Sequence, residues 1–194
     1  MYRSKWVIIL ILISLLIGIA LWRYFSSQAP QKNIPQPITE QIGNHNTNSM
    51  KISSPAFKNN ESIPAKFTCS GEGVNPKLDF IDVPTSTKSL ALVVDDPDAP
   101  GGTFIHWLVW NISPSIASIK ENSVPEGTIQ GANSINSHSY VAPCPPSGTH
   151  RYQFRLYALD IILSLDSSSK ISDLEKAIEG HVVERTKIIG LYKK

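Results

Sequence analysis

The chain predicts a mainly β fold, an antiparallel sheet or sandwich with one late helix, preceded by a single N-terminal transmembrane helix. Three observations carry this expectation. Segments rich in β-branched and aromatic residues, Leu78–Val83, Ser89–Val94, Thr103–Ile112 and Tyr152–Leu159, are separated by turn chemistry at Asn75-Pro76, Val83-Pro84, Pro100-Gly101-Gly102 and Ser113-Pro114. No strand–helix rhythm repeats along the chain, which argues against a doubly wound parallel sheet. The third is the run WVIILILISLLIGIALW, Trp6–Trp22, seventeen residues without a charge.

At about 1.5 Å of rise per residue, that run nearly crosses a hydrocarbon layer, and tryptophans close both ends as interfacial anchors do. Arg3, Lys5 and the amino terminus precede it, so the positive-inside bias keeps the N-terminus in the cytoplasm and puts everything after residue 22 outside. The expected location is the cytoplasmic membrane, single-pass, with the domain facing the periplasm or the exterior. The rival reading is a secretory signal cut near Gly18-Ile19-Ala20, which releases a secreted domain. Residues 23–50 are dominated by Gln, Asn, Pro, Ser and Thr and have little to bury, the composition of a flexible tether. Three segments follow: an anchor over 1–22, a tether over 23–50 and a folded domain over 51–194.

The chain's net charge of +2 comes from its tail, because residues 51–194 hold 14 Lys and Arg against 15 Asp and Glu, a net −1. A domain of that charge has no electrostatic case for nucleic acid.

Within the domain, Ser89–Val94 is a continuous apolar run, the pattern of a strand covered on both faces. A period of two in Thr103–Ile112 puts Phe104, His106, Leu108 and Trp110 on one face and Ile105, Trp107 and Val109 on the other. Both faces are apolar, which marks a central strand. The same rule separates His150, Tyr152, Phe154 and Leu156 from Arg151, Gln153 and Arg155. Ser172 followed by Glu175 forms a capping box, and Leu174, Ala177, Ile178, His181 and Val182 share a face, predicting a helix from Asp173 to about Arg185 with His181 in a structural role. Ile188–Tyr192 reads as a last short strand or a packed tail.

Two stretches concentrate the polar chemistry. Asp95-Asp96-Pro97-Asp98-Ala99-Pro100 runs on to His106, and Pro143-Cys144-Pro145-Pro146 runs on to His150-Arg151-Tyr152. Proline-stiffened loops feeding apolar strands present a small, preformed polar pocket. A loop carboxylate is expected to orient His106 and raise its pKa, a tyrosine hydroxyl adds a neutral donor, and the mixture suits an anion. Asp96 or Asp98 would receive the ammonium of a zwitterionic ligand.

The two cysteines, Cys69 and Cys144, leave two alternatives: one disulfide clamping the two loops together, or two buried free thiols. No Cys-x-x-Cys pair is present, and a calcium loop starting at Asp96 would place Pro100 and Trp107 where oxygen ligands belong. Zinc on His106, His150 and an aspartate has no local support, so neither metal nor cofactor is expected. There is no Gly-x-Ser-x-Gly elbow, and Ser147 and Thr149 lack an evident activating base, so the domain reads as a binding module rather than an enzyme.

DDPDAPGGTFIHWLVWNI and YVAPCPPSGTHRYQFRLYAL together resemble the phosphatidylethanolamine-binding protein family, in its bacterial Raf-kinase-inhibitor-like branch. The resemblance extends to SSPAFKNNESIPAKFTCSGEGVNPKLDF and EGHVVERTKIIGLY, so it covers Lys51 to Tyr192. It implies a large antiparallel sheet packed on a smaller one with peripheral helices. It also implies a small anion pocket, which falls on Asp96, Asp98, Pro100, His106, Pro145, His150 and Tyr152. The implied partners are phosphate or a phospholipid headgroup, and a protease or kinase-like protein that the domain would inhibit. The segment Ser147-Gly148-Thr149 is shorter than in animal members, so ligand size and partner docking transfer least. Three functions therefore compete: an anion-binding module, a protease inhibitor or docking protein independent of the pocket, and a weak phospho- or acyl-ester hydrolase.

Overall fold

The computed structural model describes residues 22–23 and 49–194. The chain divides into two units, Met1–Asn46 and Thr47–Lys194. Apart from Trp22, the apolar run lies outside the described residues, as does the tether apart from Arg23, Ser49 and Met50. Among the described residues no helix is long and apolar enough to cross a membrane.

Two sheets and one helix make three layers. A six-stranded sheet runs in the order β2 (Glu61–Ser62), β9 (Val182–Lys193), β8 (Thr149–Leu159), β4 (Ser89–Asp96), β5 (Phe104–Ile112), β7 (Ile129–Gln130). A three-stranded sheet consists of β1 (Lys51–Ser53), β3 (Leu78–Ile81) and β6 (Ser118–Ile119). All pairings are antiparallel except β2 with β9, which is parallel. The four expected strands are present, and Ile188–Tyr192, expected as a last short strand or a packed tail, belongs to a longer, twelve-residue strand flanked by β8 and β2.

Strand β4 explains the layering. Leu90, Leu92 and Val94 pack into a core with Leu78, Phe80 and Ile119 of the small sheet and with Phe154 and Leu156 of β8. Ala91 and Val93, pointing the other way, join Leu108, Trp110, Leu174 and Ile178 beneath the helix. A run without polar interruption suits this strand because both of its faces are dry. At that density, Leu92→Ala removes about 2–5 kcal/mol.

Strand β5 departs from strict alternation. Its register with β4 slips between Val94↔Trp107 and Asp95↔Ile105, leaving His106 as the extra residue of a β-bulge. Ile105 therefore joins Leu108 and Trp110 on the helix side, while Trp107 and Val109 enter the core between the sheets. The expectation that His106 shares a face with Leu108 and Trp110 is corrected: the bulge turns its ring to within 5.2 Å of Tyr152, a member of the inter-sheet core.

The helix is also shorter than its apolar periodicity suggests. It spans Ile171–Ile178 (α1), with the Asp173 carboxylate accepting the Lys170 backbone N–H at 2.8 Å in place of the expected Ser172 cap. Gly180 takes φ +79, the left-handed conformation that stops a helix, and β9 begins two residues later. His181 thus lies off the helix, its Nδ1 2.9 Å from Asp160 Oδ1 in an exposed pair.

Cys69 and Cys144 are joined in a disulfide with Cα atoms 5.4 Å apart, and the Cys69 N–H donates to the Pro143 carbonyl at 3.0 Å. Gly190 has a different task. A Cβ there would lie 2.4 Å from Ile63, so only glycine lets β9 pass this close to the segment after β2.

Candidate functional site

The end of β4, the β5 bulge and the start of β8 meet at one place. Alternation sends the consecutive residues Asp95 and Asp96 to opposite faces of the sheet, and Asp96 goes to the face of Tyr152. Its Oδ2 lies 2.7 Å from His150 Nδ1, and its Oδ1 accepts the Asp98 N–H at 2.8 Å. One carboxylate thereby sets an imidazole and the turn that follows the strand.

His106 is held differently. A carbonyl only accepts, so the His106 Nδ1–H donates to Val141 O at 2.7 Å, and the Val141 N–H returns a bond to His106 O at 3.0 Å. This corrects the expected carboxylate orienter, which serves His150 instead. The direction of the pKa changes with it: burial pushes His106 below the usual imidazole value, outweighing the Val141 bond and the distant Asp96 charge. At neutral pH the His106 Nε2 is consequently a lone-pair acceptor.

Tyr152 links the two rings. It stands edge-on to His106 at 5.2 Å and stacks on His150 at 6.5 Å between ring centroids. Its hydroxyl is buried and has no hydrogen-bond partner in the protein. Burial first, then the Asp96 charge, raises its pKa, so the phenol keeps its proton and remains a donor.

Asp98 and Arg151 form the rim. The Arg151 backbone N–H and Nε donate to Asp98 Oδ2, both at 2.9 Å, and Nη2 donates to Oδ1 at 2.6 Å. The guanidinium pulls the Asp98 carboxyl down to about 2. Both oxygens of Asp98 are engaged, as are both of Asp96, and these bonds lock the loop to β8. Pro145 is buried in the disulfide-bonded loop, and Pro100 is exposed on the turn between β4 and β5, away from the rings' recorded contacts.

Three contributors escaped sequence reasoning. Val141 acts through backbone atoms, which carry no side-chain signal. Arg151 was legible only as a member of the opposite β8 face. Tyr192 of β9 pairs directly with His150 of β8, and its hydroxyl donates to Ser70 Oγ at 2.6 Å; the Ser70 and Thr68 hydroxyls, able to bond the ionised oxygen, hold its pKa below the usual phenol value. Only the pairing of β9 with β8 discloses it. Among the described residues no group of three His, Cys, Asp or Glu is placed to hold a metal ion.

A three-stranded sheet packed on a six-stranded one, with a carboxylate, two imidazoles and a phenol gathered at the strand ends, defines a two-sheet β domain with one polar cluster. The chain belongs to the phosphatidylethanolamine-binding protein family, whose model matches residues 53–193. A protein of Methanothermobacter thermautotrophicus described as a UPF0098 protein is 44% identical over 150 residues, covering 75% of this chain and 99% of that protein. Its counterpart in Pyrococcus horikoshii is 45% identical over 155 residues, covering 75% of this chain and 77% of its own. Among solved structures, a putative family homologue from Chlamydia trachomatis superposes with a TM-score of 0.73 at 39% identity, covering 76% of this chain and 99% of its own. YbcL of E. coli, titled a new member of the mammalian family, does so with 0.71 at 28% identity, covering 75% and 99%. Relatives made up almost wholly of the matched region show that such a domain folds without a preceding tether.

Proposed function

We propose that this protein is a non-enzymatic binding module whose ring-lined site accepts a phosphoryl group, either free phosphate or a phosphorylated headgroup. The observation that carries the reading is the Tyr152 hydroxyl. A buried hydroxyl without a partner costs about 1–3 kcal/mol, and an acceptor oxygen brought in by a ligand removes that penalty. His106 and His150 offer the two neighbouring ring edges, each ring having one nitrogen fixed and the other uncommitted. A protonated phosphate monoester complements this set: one oxygen accepts from Tyr152, and its P–OH donates to the neutral His106 Nε2. The name of the family supports the same ligand chemistry.

The apolar run Trp6–Trp22 supports a further part of the reading, that the domain is displayed outside the cytoplasm on a membrane anchor. The disulfide and the Asp98–Arg151 clamp stiffen the site's rim, which favours docking to a protein partner as a secondary role. Fractionating cells that express the full chain, with protease applied from outside, tests the anchor. A full-length, membrane-associated chain cut only from the exterior is expected, and a soluble cytoplasmic chain would refute the anchor.

The ligand is tested on the 49–194 fragment by NMR titration with inorganic phosphate, O-phosphorylethanolamine and glycerophosphorylethanolamine. Saturable shifts at His106, His150 and Tyr152 are expected, with affinity weakened about tenfold in Tyr152→Phe, the loss of one hydrogen bond to a charged group. Affinity for the phosphodiester, whose own charge is constant in this range, should rise as pH falls below the usual imidazole value, because protonation turns His106 Nε2 from acceptor into donor. Absence of saturation with all three compounds refutes the reading.

A further inference from the structure

The opposite face of the large sheet carries a second concentration of charge. A trough of about 430 Å3 crosses β8 and β9, lined by Gln153, Arg155 and Tyr157 from one strand and Arg185, Thr186 and Lys187 from the other. In the register of this pair, Arg155 lies directly opposite Lys187 and Tyr157 opposite Arg185. Like charges facing each other across strands are destabilising, and here three cations share one concavity. Among the described residues the ion pair made here is that of buried Asp95 with Arg155 Nη2, while Glu175 shares a neighbouring cavity with Arg155. Lys187 donates only to the neutral Gln153 Oε1, at 3.1 Å, and Arg155 Nη1 donates to the Tyr157 hydroxyl at 3.0 Å. Arg155 Nε is buried and has no partner.

We propose that this trough is a second anion site, selective for a small doubly charged oxyanion such as a phosphate monoester dianion or a dicarboxylate. Arg155 has its carboxylate, whereas Arg185 and Lys187 make no ion pair among the described residues, and these two positive charges set the valence. Guanidinium groups set the chemistry, since their planar forks pair with two oxygens of one anionic group, and the unmet Arg155 Nε–H supplies such a donor. Concavity sets the size, because cations gathered around a trough of this volume meet a discrete ligand better than a flat anionic surface. The site is independent of the Tyr152 site, which lies across the sheet, so either proposal stands without the other.

The test uses the 49–194 fragment with methyl phosphate and succinate as probes, at pH 7.5 and constant ionic strength, read by NMR of arginine Nε–H and backbone amides of β8 and β9. Saturable shifts at Arg155, Arg185 and Lys187 are expected with at least one probe, persisting in Tyr152→Phe and His106→Ala. Arg185→Gln should weaken binding about tenfold, and Lys187→Gln somewhat less, the loss of one charge-assisted contact each. Both side chains are exposed, so these variants keep the fold. The proposal is overturned if neither probe saturates, if chloride at equal ionic strength gives the same shifts, or if Arg185→Gln leaves the affinity unchanged. It is equally overturned if these variants abolish binding to phosphatidylglycerol vesicles while neither soluble probe binds, since the face is then a membrane-docking surface.

Discussion

Asp95 and Asp96 are neighbours in the chain and inhabit opposite electrostatic worlds. Asp96 faces the inter-sheet core and pairs with an imidazole, His150, beside a phenol that burial keeps neutral. Asp95 faces the other way and pairs with a permanent cation, Arg155, yet burial still lifts its carboxyl above the usual range. Strand geometry alone makes the separation, because successive side chains leave opposite faces. What differs is the chemistry each face presents: two imidazoles and a phenol on one side, fixed positive charge on the other.

The largest expected effect sharpens this contrast through the disulfide. Cys69–Cys144 closes a loop with a sequence separation of 75. The chain-entropy model assigns such a closure about 4 kcal/mol. The double variant Cys69→Ser/Cys144→Ser should lose roughly 2–4 kcal/mol in urea denaturation. Because the bridge anchors the loop that leads from Val141 to His150, phosphoryl binding at the ring site should weaken while succinate binding in the β8–β9 trough is retained. Equal loss at both sites would mean that the two faces are not separate devices.

Second in size is Arg155→Ala. It leaves the buried Asp95 carboxylate without its cation, and breaking a buried pair in this way removes about 3 kcal/mol. Asp95 already has a raised folded-state pKa, so its ionised form opposes folding and the opposition grows as pH rises through that pKa. Without Arg155 the pKa rises further. The penalty of Arg155→Ala should therefore shrink as pH falls from neutrality towards the ordinary carboxylate range and Asp95 takes up a proton, and Asp95→Asn in the same background should restore much of the stability. A penalty independent of pH would show that Arg155 acts by packing rather than by charge.

How much of this was legible in the sequence follows from where alternation holds. It holds in β8, where His150 and Tyr152 were separable from Arg151, Gln153 and Arg155 by counting in twos. It fails at His106, because a bulge inserts one residue and carries no side-chain signature. The helix was overextended for a related reason: Leu174, Ala177, Ile178 and Val182 keep a helical period past the point where Gly180 stops the chain. Strands β1, β2, β6 and β7 have two or three residues each, too few for any period to register. The site residues were grouped by family resemblance, whereas the Val141 carbonyl and the Tyr192 pairing are facts of tertiary structure alone. The basic trough was latent in Arg155, Arg185 and Lys187, but their meeting depends on the register of β8 with β9.

The smallest expected effect lies on the rim between the two faces. Asp98 and Arg151 make a bidentate pair with side chains 28% and 54% exposed. Solvent screens a pair this open, so its contribution to stability is about 0.5–1 kcal/mol in spite of the good geometry. The sign follows from the depressed carboxyl: with a folded-state pKa of about 2 against an ordinary 3.8, the stabilisation is fully present above the ordinary value and fades as pH falls towards 2. Asp98→Asn should thus lower stability by no more than about 1 kcal/mol at pH 7, with high salt removing most of the difference. Its larger consequence should be on the loop: the Arg151 backbone N–H loses a charged acceptor, Asp98 no longer ties the turn to β8, and the on- and off-rates of phosphoryl binding at the ring site should both rise. Unchanged rates would show that Asp96 alone, through His150 and the Asp98 N–H, suffices to fix the turn.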